Sequence, residues 1–146
     1  MERPTNDEIV CKTADNTEAL GENFSKFVAA DSSIALIGDL GAGKTTFVKG
    51  LARGFGIGEN INSPSFDILR IYRGDVTLLH VDAYRLDGSE SAANALLLED
   101  FLVHPHCLVV EWPERLPNFL QTCDFRIFFA VDGHCRKITL EAMRKP

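Results

Sequence analysis

Residues Gly38-Asp39-Leu40-Gly41-Ala42-Gly43-Lys44-Thr45 satisfy the pattern G-x-x-x-x-G-K-[ST] at every specified position. These residue types bind phosphate for physical reasons. Gly38, Gly41 and Gly43 tolerate backbone conformations closed to other residues, which lets successive N–H groups close around a β-phosphate. A helix starting near Lys44 adds the positive end of its dipole. Lys44 supplies a point charge to the β- and γ-phosphates, and the Thr45 hydroxyl is placed to hold Mg²⁺. The candidate nucleotide-contacting run therefore extends from Gly38 through Asp39, Leu40, Gly41, Ala42, Gly43, Lys44 and Thr45 to Thr46.

A second kind of chemistry needs carboxylates near the γ-phosphate, and two are placed for it. Val76 to Val81 reads as a strand that ends in His80-Val81-Asp82-Ala83-Tyr84-Arg85, and Cys107-Leu108-Val109-Val110 is an apolar strand closed by Glu111. An acid at the carboxyl end of a strand in an α/β sheet points into the crevice where ligands bind. One of Asp82 and Glu111 would hold Mg²⁺ through water while the other orients the attacking nucleophile, and the sequence does not decide which. His80 shares the Asp82 face by period two, and a lone histidine there reads as structural. Asn62-Ser63-Pro64-Ser65-Phe66 is either a plain turn or a loop near the γ-phosphate. Tyr84 reads as a core aromatic, whereas Trp112 is equally a core residue or a partner-facing anchor.

The elements that must position these groups are legible on both sides of the loop. Ser33-Ile34-Ala35-Leu36-Ile37 reads as a buried strand. Behind the loop, Thr45 to Arg53 places Phe47, Val48 and Leu51 on one helical face and stops at Gly54. A chance glycine-rich turn would lack both flanks. Upstream, Glu8 to Lys12 predicts a first strand, and Thr13 or Asp15 caps a helix with Leu20, Phe24, Phe27 and Val28 facing the core. Downstream, Arg73-Gly74-Asp75 turns one hairpin and Asp132-Gly133 another, between Phe125–Val131 and Arg136–Glu141. Leu86 to Phe101 predicts a helix that starts near Ser89. The expectation is a single α/β domain over residues 1–146, P-loop NTPase-like, with a central, mostly parallel sheet and antiparallel hairpins.

Composition bounds the function. The 146 residues are 45% hydrophobic and 25% charged, those of a soluble globular chain, and no apolar run approaches a membrane span. The polar N-terminus is unlike a signal sequence, and four scattered cysteines read as reduced, buried thiols, which predicts a cytoplasmic protein. A net charge of −6 without a basic stripe argues against autonomous nucleic-acid binding.

Taken together, the loop, Asn62-Ser63-Pro64-Ser65-Phe66, His80-Val81-Asp82-Ala83-Tyr84-Arg85-Leu86 and Glu111-Trp112-Pro113-Glu114-Arg115-Leu116 resemble the bacterial TsaE (YjeE) family. That family is the ATPase component of the tRNA threonylcarbamoyladenosine machinery. The resemblance implies a weak Mg²⁺-dependent ATPase that docks on a TsaB–TsaD heterodimer and resets it between turnovers, with tRNA held by that complex. It also implies that Gly38 to Thr45 bind the phosphates of ATP, that Asp82 and Glu111 act near the metal, and that Ser63 to Ser65 form a switch-like loop. Arg136, in a terminal Gly-x-x-Arg-like hairpin, would lie against the nucleotide. Two departures are visible: Ser65 stands where the family usually has Thr, and Leu96-Leu97-Leu98-Glu99-Asp100 lacks the glycine of the family's Leu-Gly-Leu-Glu-Glu-like segment.

Rival readings share the loop. A small-molecule or nucleotide kinase needs an arginine-bearing lid, yet no Arg or Lys occurs between Arg85 and Arg115. A GTPase switch needs Asn-Lys-x-Asp and Asp-x-x-Gly, and neither string is present. A nucleotide-gated docking protein with little turnover stays compatible with the residues.

Overall fold

The computed structural model describes residues 8–39, 41–62, 68–86 and 102–143. Its strands are β1 (Glu8–Cys11), β2 (Ser32–Ile37), β3 (Leu69–Tyr72), β4 (Thr77–Asp82), β5 (His106–Glu111), β6 (Phe125–Asp132) and β7 (Cys135–Ala142). They form one seven-stranded sheet in the order β1-β7-β6-β2-β5-β4-β3. The centre is parallel, with β2 between β5 and β6 and β4 beyond β5. Both flanks are antiparallel, from the β3–β4 and β6–β7 hairpins and from β1 against β7. This is the mixed α/β, P-loop NTPase-like architecture expected from the sequence. Ile34, Ala35 and Leu36 are fully buried, as a central parallel strand covered on both faces requires, which is why β2 shows no polar alternation.

Helices α1 (Ala14–Phe24) and α2 (Lys44–Gly54) cover one face, and the short α3 (Pro117–Thr122) lies on the other. Thr13 caps α1 by accepting the Asn16 N–H at 3.1 Å. The expected stripe is shorter than the sequence suggested. The α-helix stops at Phe24, and residues 25–27 tighten into a 3₁₀ turn while Ser25 Oγ donates to the Glu22 carbonyl at 2.6 Å. Phe24 meets Phe125 edge-on at 5.0 Å, and Phe47 meets Phe129 likewise at 5.6 Å, which fixes both helices to β6.

α1 and α2 touch backbone to backbone. A Cβ on Gly50 would lie 1.8 Å from the Glu18 carbonyl oxygen, and one on Gly21 would lie 2.1 Å from that of Phe47. The hairpin turn after β6 is shifted by one residue from its expected place. Asp132 pairs with Cys135, leaving Gly133 and His134 as the turn, because Gly133 supplies the positive φ of 60°. Cys11, Cys107 and Cys123 are buried and all four thiols are free; burial pushes the Cys107 thiol far up. The predicted helix over Leu86 to Phe101, the loop at Ser63 to Phe66, and both family departures lie largely or wholly outside the described residues.

At the far end of β2 and β5, Asp31 holds two imidazoles. Its carboxylate meets His104 Nδ1 at 2.7 Å and His106 Nδ1 at 3.0 Å. The hydrogen bond from His104, aided by the His106 N–H and the charge of both rings, holds the Asp31 carboxyl below its ordinary value of 3.8.

Gly50→Ala should lower stability by about 2 kcal/mol, even though alanine is the better helix former by about 1 kcal/mol; thermal unfolding that is unchanged or raised would contradict the backbone contact. A depressed carboxyl pKa contributes stability above the unfolded value, and that contribution is lost as pH falls through the folded one. Asp31→Asn should therefore be less stable than the parent near pH 7, and the gap should close below 3.8, read by urea titration across that range.

Candidate functional site

The loop after β2 closes on the first turn of α2. Gly41 and Gly43 adopt φ of 77° and 98°, so the chain turns into the helix through left-handed geometry that a side chain would strain. Gly43 is the N-cap of α2, and Ala42 is buried with its N–H on the Asp39 carbonyl at 3.2 Å. Leu40 lies outside the described residues. The open N–H end of α2 thus faces a cleft of about 390 Å³ lined by Gly41, Gly43, Lys44, Thr45, Thr46, Glu111 and Arg136.

Lys44 is buried, only 5% exposed. Its ammonium donates to the Gly38 carbonyl at 2.7 Å, stands 4.0 Å from Glu111 Oε1 and sits 4.6 Å from the centre of the Trp112 ring. A buried ammonium needs such partners, because desolvating it alone costs several kcal/mol. Glu111 is equally buried, and its other oxygen, Oε2, lies 2.6 Å from His80 Nε2. Lys44, Glu111 and His80 therefore form one chain of contacts from the loop into the core.

Asp82 stands beside Glu111 in the β4–β5 register, half-buried, with Oδ1 accepting the Tyr84 N–H at 2.9 Å. One carboxylate oxygen is thus committed to the turn after β4. Arg136 reaches the loop from β7, its Nε donating to the Gly41 carbonyl at 3.2 Å. Tyr84 departs from expectation: it is 53% exposed rather than a core aromatic, and its ring lies 5.0 Å from that of Trp112. Trp112 itself is half-buried with a φ of 57°, a left-handed conformation that costs a tryptophan about 1–2 kcal/mol.

The wall opposite the loop was missing from the sequence reading. Cys11, Lys12, Thr13 and Thr17, at the β1–α1 junction, line the same cleft, as does His134 of the last turn. They are brought there by β1 pairing with β7, which aligns Cys11 with Arg136. No local motif marks that junction.

A parallel-centred sheet with a Gly–Lys–Thr loop at the carboxyl end of β2, a lysine in the loop and acids at the ends of β5 and β4 define a P-loop NTPase-like protein. Residues 11–138 match the family described as threonylcarbamoyl adenosine biosynthesis protein TsaE, and the chain belongs to that family. A Treponema pallidum protein named tRNA threonylcarbamoyladenosine biosynthesis protein TsaE is 38% identical over 135 residues, covering 90% of this chain and 97% of the relative. A Bacillus subtilis protein of the same name is 38% identical over 109 residues, 71% of this chain and 67% of its own length. The crystal structure of Bacillus subtilis YdiB superposes with a TM-score of 0.74 at 30% identity, covering 99% of this chain and 90% of that one. Among the described residues no helix is long and apolar enough to cross a membrane.

Lys44→Ala leaves the Glu111 carboxylate without its cation, so the variant should lose about 1–3 kcal/mol of stability. Adding Glu111→Gln should restore part of that loss. Chemical denaturation of the three proteins checks both; a Lys44→Ala chain as stable as the parent would contradict the pairing.

Proposed function

We propose that this chain binds and slowly hydrolyses ATP as an accessory protein for threonylcarbamoyladenosine modification of tRNA in the cytoplasm, docking on a TsaB–TsaD-like pair that it resets between turnovers. The observation that carries the reading is the Lys44 ammonium, held within the loop between the Gly38 carbonyl and Glu111 at the mouth of α2. A triphosphate entering the cleft offers that ammonium stronger acceptors than a backbone carbonyl, while the first N–H groups of α2 receive phosphate oxygens. Family membership supports the biological setting.

The donor set suits Mg²⁺. The Thr45 hydroxyl and the Asp82 carboxylate are hard oxygens, and Mg²⁺ in nucleotide sites keeps most of its ligands as phosphates and waters. Bound there, the ion would neutralise charge on the phosphate oxygens. Glu111, whose Oε1 faces Lys44, is the better placed of the two acids to orient the attacking water. In-line attack forms a bond from water oxygen to the γ-phosphorus as the bond to the β–γ bridging oxygen breaks. The electron pair leaves on ADP, and a water proton passes to solvent, with Glu111 able to receive it first. Arg136 adds positive charge on the β7 side of the cleft.

Phosphate release from ATP tests this. The purified chain alone should turn over slowly, and adding a TsaB–TsaD pair with tRNA should raise the rate well beyond the sum of the parts. Brisk turnover indifferent to those additions, or phosphate passed to an acceptor other than water, would overturn the assignment.

A further inference from the structure

His80 occupies a position where an apolar side chain would be expected. It sits on β4 between Leu78 and Asp82, on the sheet face that carries Cys107, Val109 and Glu111 of β5, and it is fully buried. The surrounding core on that face is hydrophobic. Its Nε2 lies 2.6 Å from Glu111 Oε2, while Nδ1 is buried with no hydrogen-bond partner among the described residues. A buried polar atom left unpaired is destabilising, and an isosteric apolar residue would avoid that cost. Retaining it calls for a reason beyond packing.

The tautomer follows from the neighbours. Glu111 faces the Lys44 ammonium through Oε1 and is therefore an ionised, acceptor-only group. Nε2 of His80 must then donate, and a neutral ring carries its lone pair on the unpartnered Nδ1. The three side chains form a directed line: His80 donates to one oxygen of Glu111, and the other oxygen faces Lys44.

That line has a consequence once phosphate draws the Lys44 ammonium away. Glu111 has three side-chain torsions and would lose its cation, free to follow Lys44 or rotate aside. We infer that His80 is a positioning residue: it clamps Oε2 of Glu111 from behind, so Oε1 keeps its aim at the reacting water when Lys44 moves to the nucleotide. His80 touches neither nucleotide nor water. This role rests on the ATPase reading proposed above, whereas the tautomer and the clamp are properties of the chain without nucleotide.

The test therefore has two independent arms. In a long-range ¹H–¹⁵N spectrum of the labelled full chain without nucleotide, the His80 ring should show a protonated Nε2 and an unprotonated Nδ1. His80→Gln identifies its signals among the four histidines. A ring protonated on Nδ1, alone or on both nitrogens, overturns the inference. In the second arm, His80→Leu should lower kcat for phosphate release, with the TsaB–TsaD pair present, on the order of 10- to 100-fold. The equilibrium Kd for ADP should stay within about twofold, since uniform binding is untouched. His80→Gln, which keeps an N–H near the Nε2 position, should recover much of the rate, and in a Glu111→Gln background His80→Leu should cost little more. An unchanged kcat, a matching loss in ADP affinity, no recovery by glutamine, or full additivity with Glu111→Gln each overturns the clamp. If the parent chain hydrolyses no ATP under any condition, the ATPase reading and the catalytic role of the clamp fall together, and the spectrum still decides whether His80 holds Glu111.

Discussion

A lysine ammonium inside a protein must be partnered, and in this chain that requirement ties the phosphate loop to the core. Lys44 is held by the Gly38 carbonyl, by Glu111 and by the face of Trp112. Each partner belongs to a different piece of chain: the loop itself, the end of β5, and the turn that follows it. Removing nucleotide phosphates from such a loop would otherwise leave a cation among backbone N–H groups of the same sign. The Trp112 backbone is left-handed and the His80 ring has a nitrogen unpaired among the described residues, so two local costs cluster around the one cation. Clusters of this kind belong to functional sites, where surrounding structure over-determines an unfavourable local state.

The cleft has two walls, and they are stiff for different reasons. The loop wall is carried by α2, whose backbone meets α1 directly at Gly50 and Gly21. Because α1 is capped by Thr13, on the opposite wall, that contact sets the distance between the walls without long side chains that can change rotamer. The acids sit on adjacent parallel strands, with Asp82 and Glu111 in direct register. Their side chains then diverge: Asp82 turns to the backbone of Tyr84, and Glu111 turns inward to His80 and Lys44.

What could be read from the sequence was local in the chain. The loop, its strand and its helix occupy consecutive residues, so glycine spacing and apolar period sufficed for Gly38 to Thr46. Both hairpins announced themselves through turn residues, one displaced by a residue because Gly133 takes the first turn position. What escaped depends on register between distant strands. The β1–α1 wall forms only because β1 adds to β7. The His80–Glu111 contact exists only because β4 lies beside β5, and a lone histidine in an apolar strand carries no sign of its partner. Tyr84 lies exposed rather than in the core because apolar neighbours in sequence say little about which end of a strand meets the surface.

The last hairpin shows how a fold can count. Side chains alternate strictly along β7, and Arg136, Ile138 and Leu140 share the inward face. One residue added between the Gly133–His134 turn and Arg136 would reverse that parity, sending the guanidinium away from the cleft and Ile138 out of the core together. Two residues added would restore the facing and merely lengthen the ribbon. The segment therefore tolerates drift in composition while refusing odd changes in length, so an arginine contact with the loop is inherited as arithmetic.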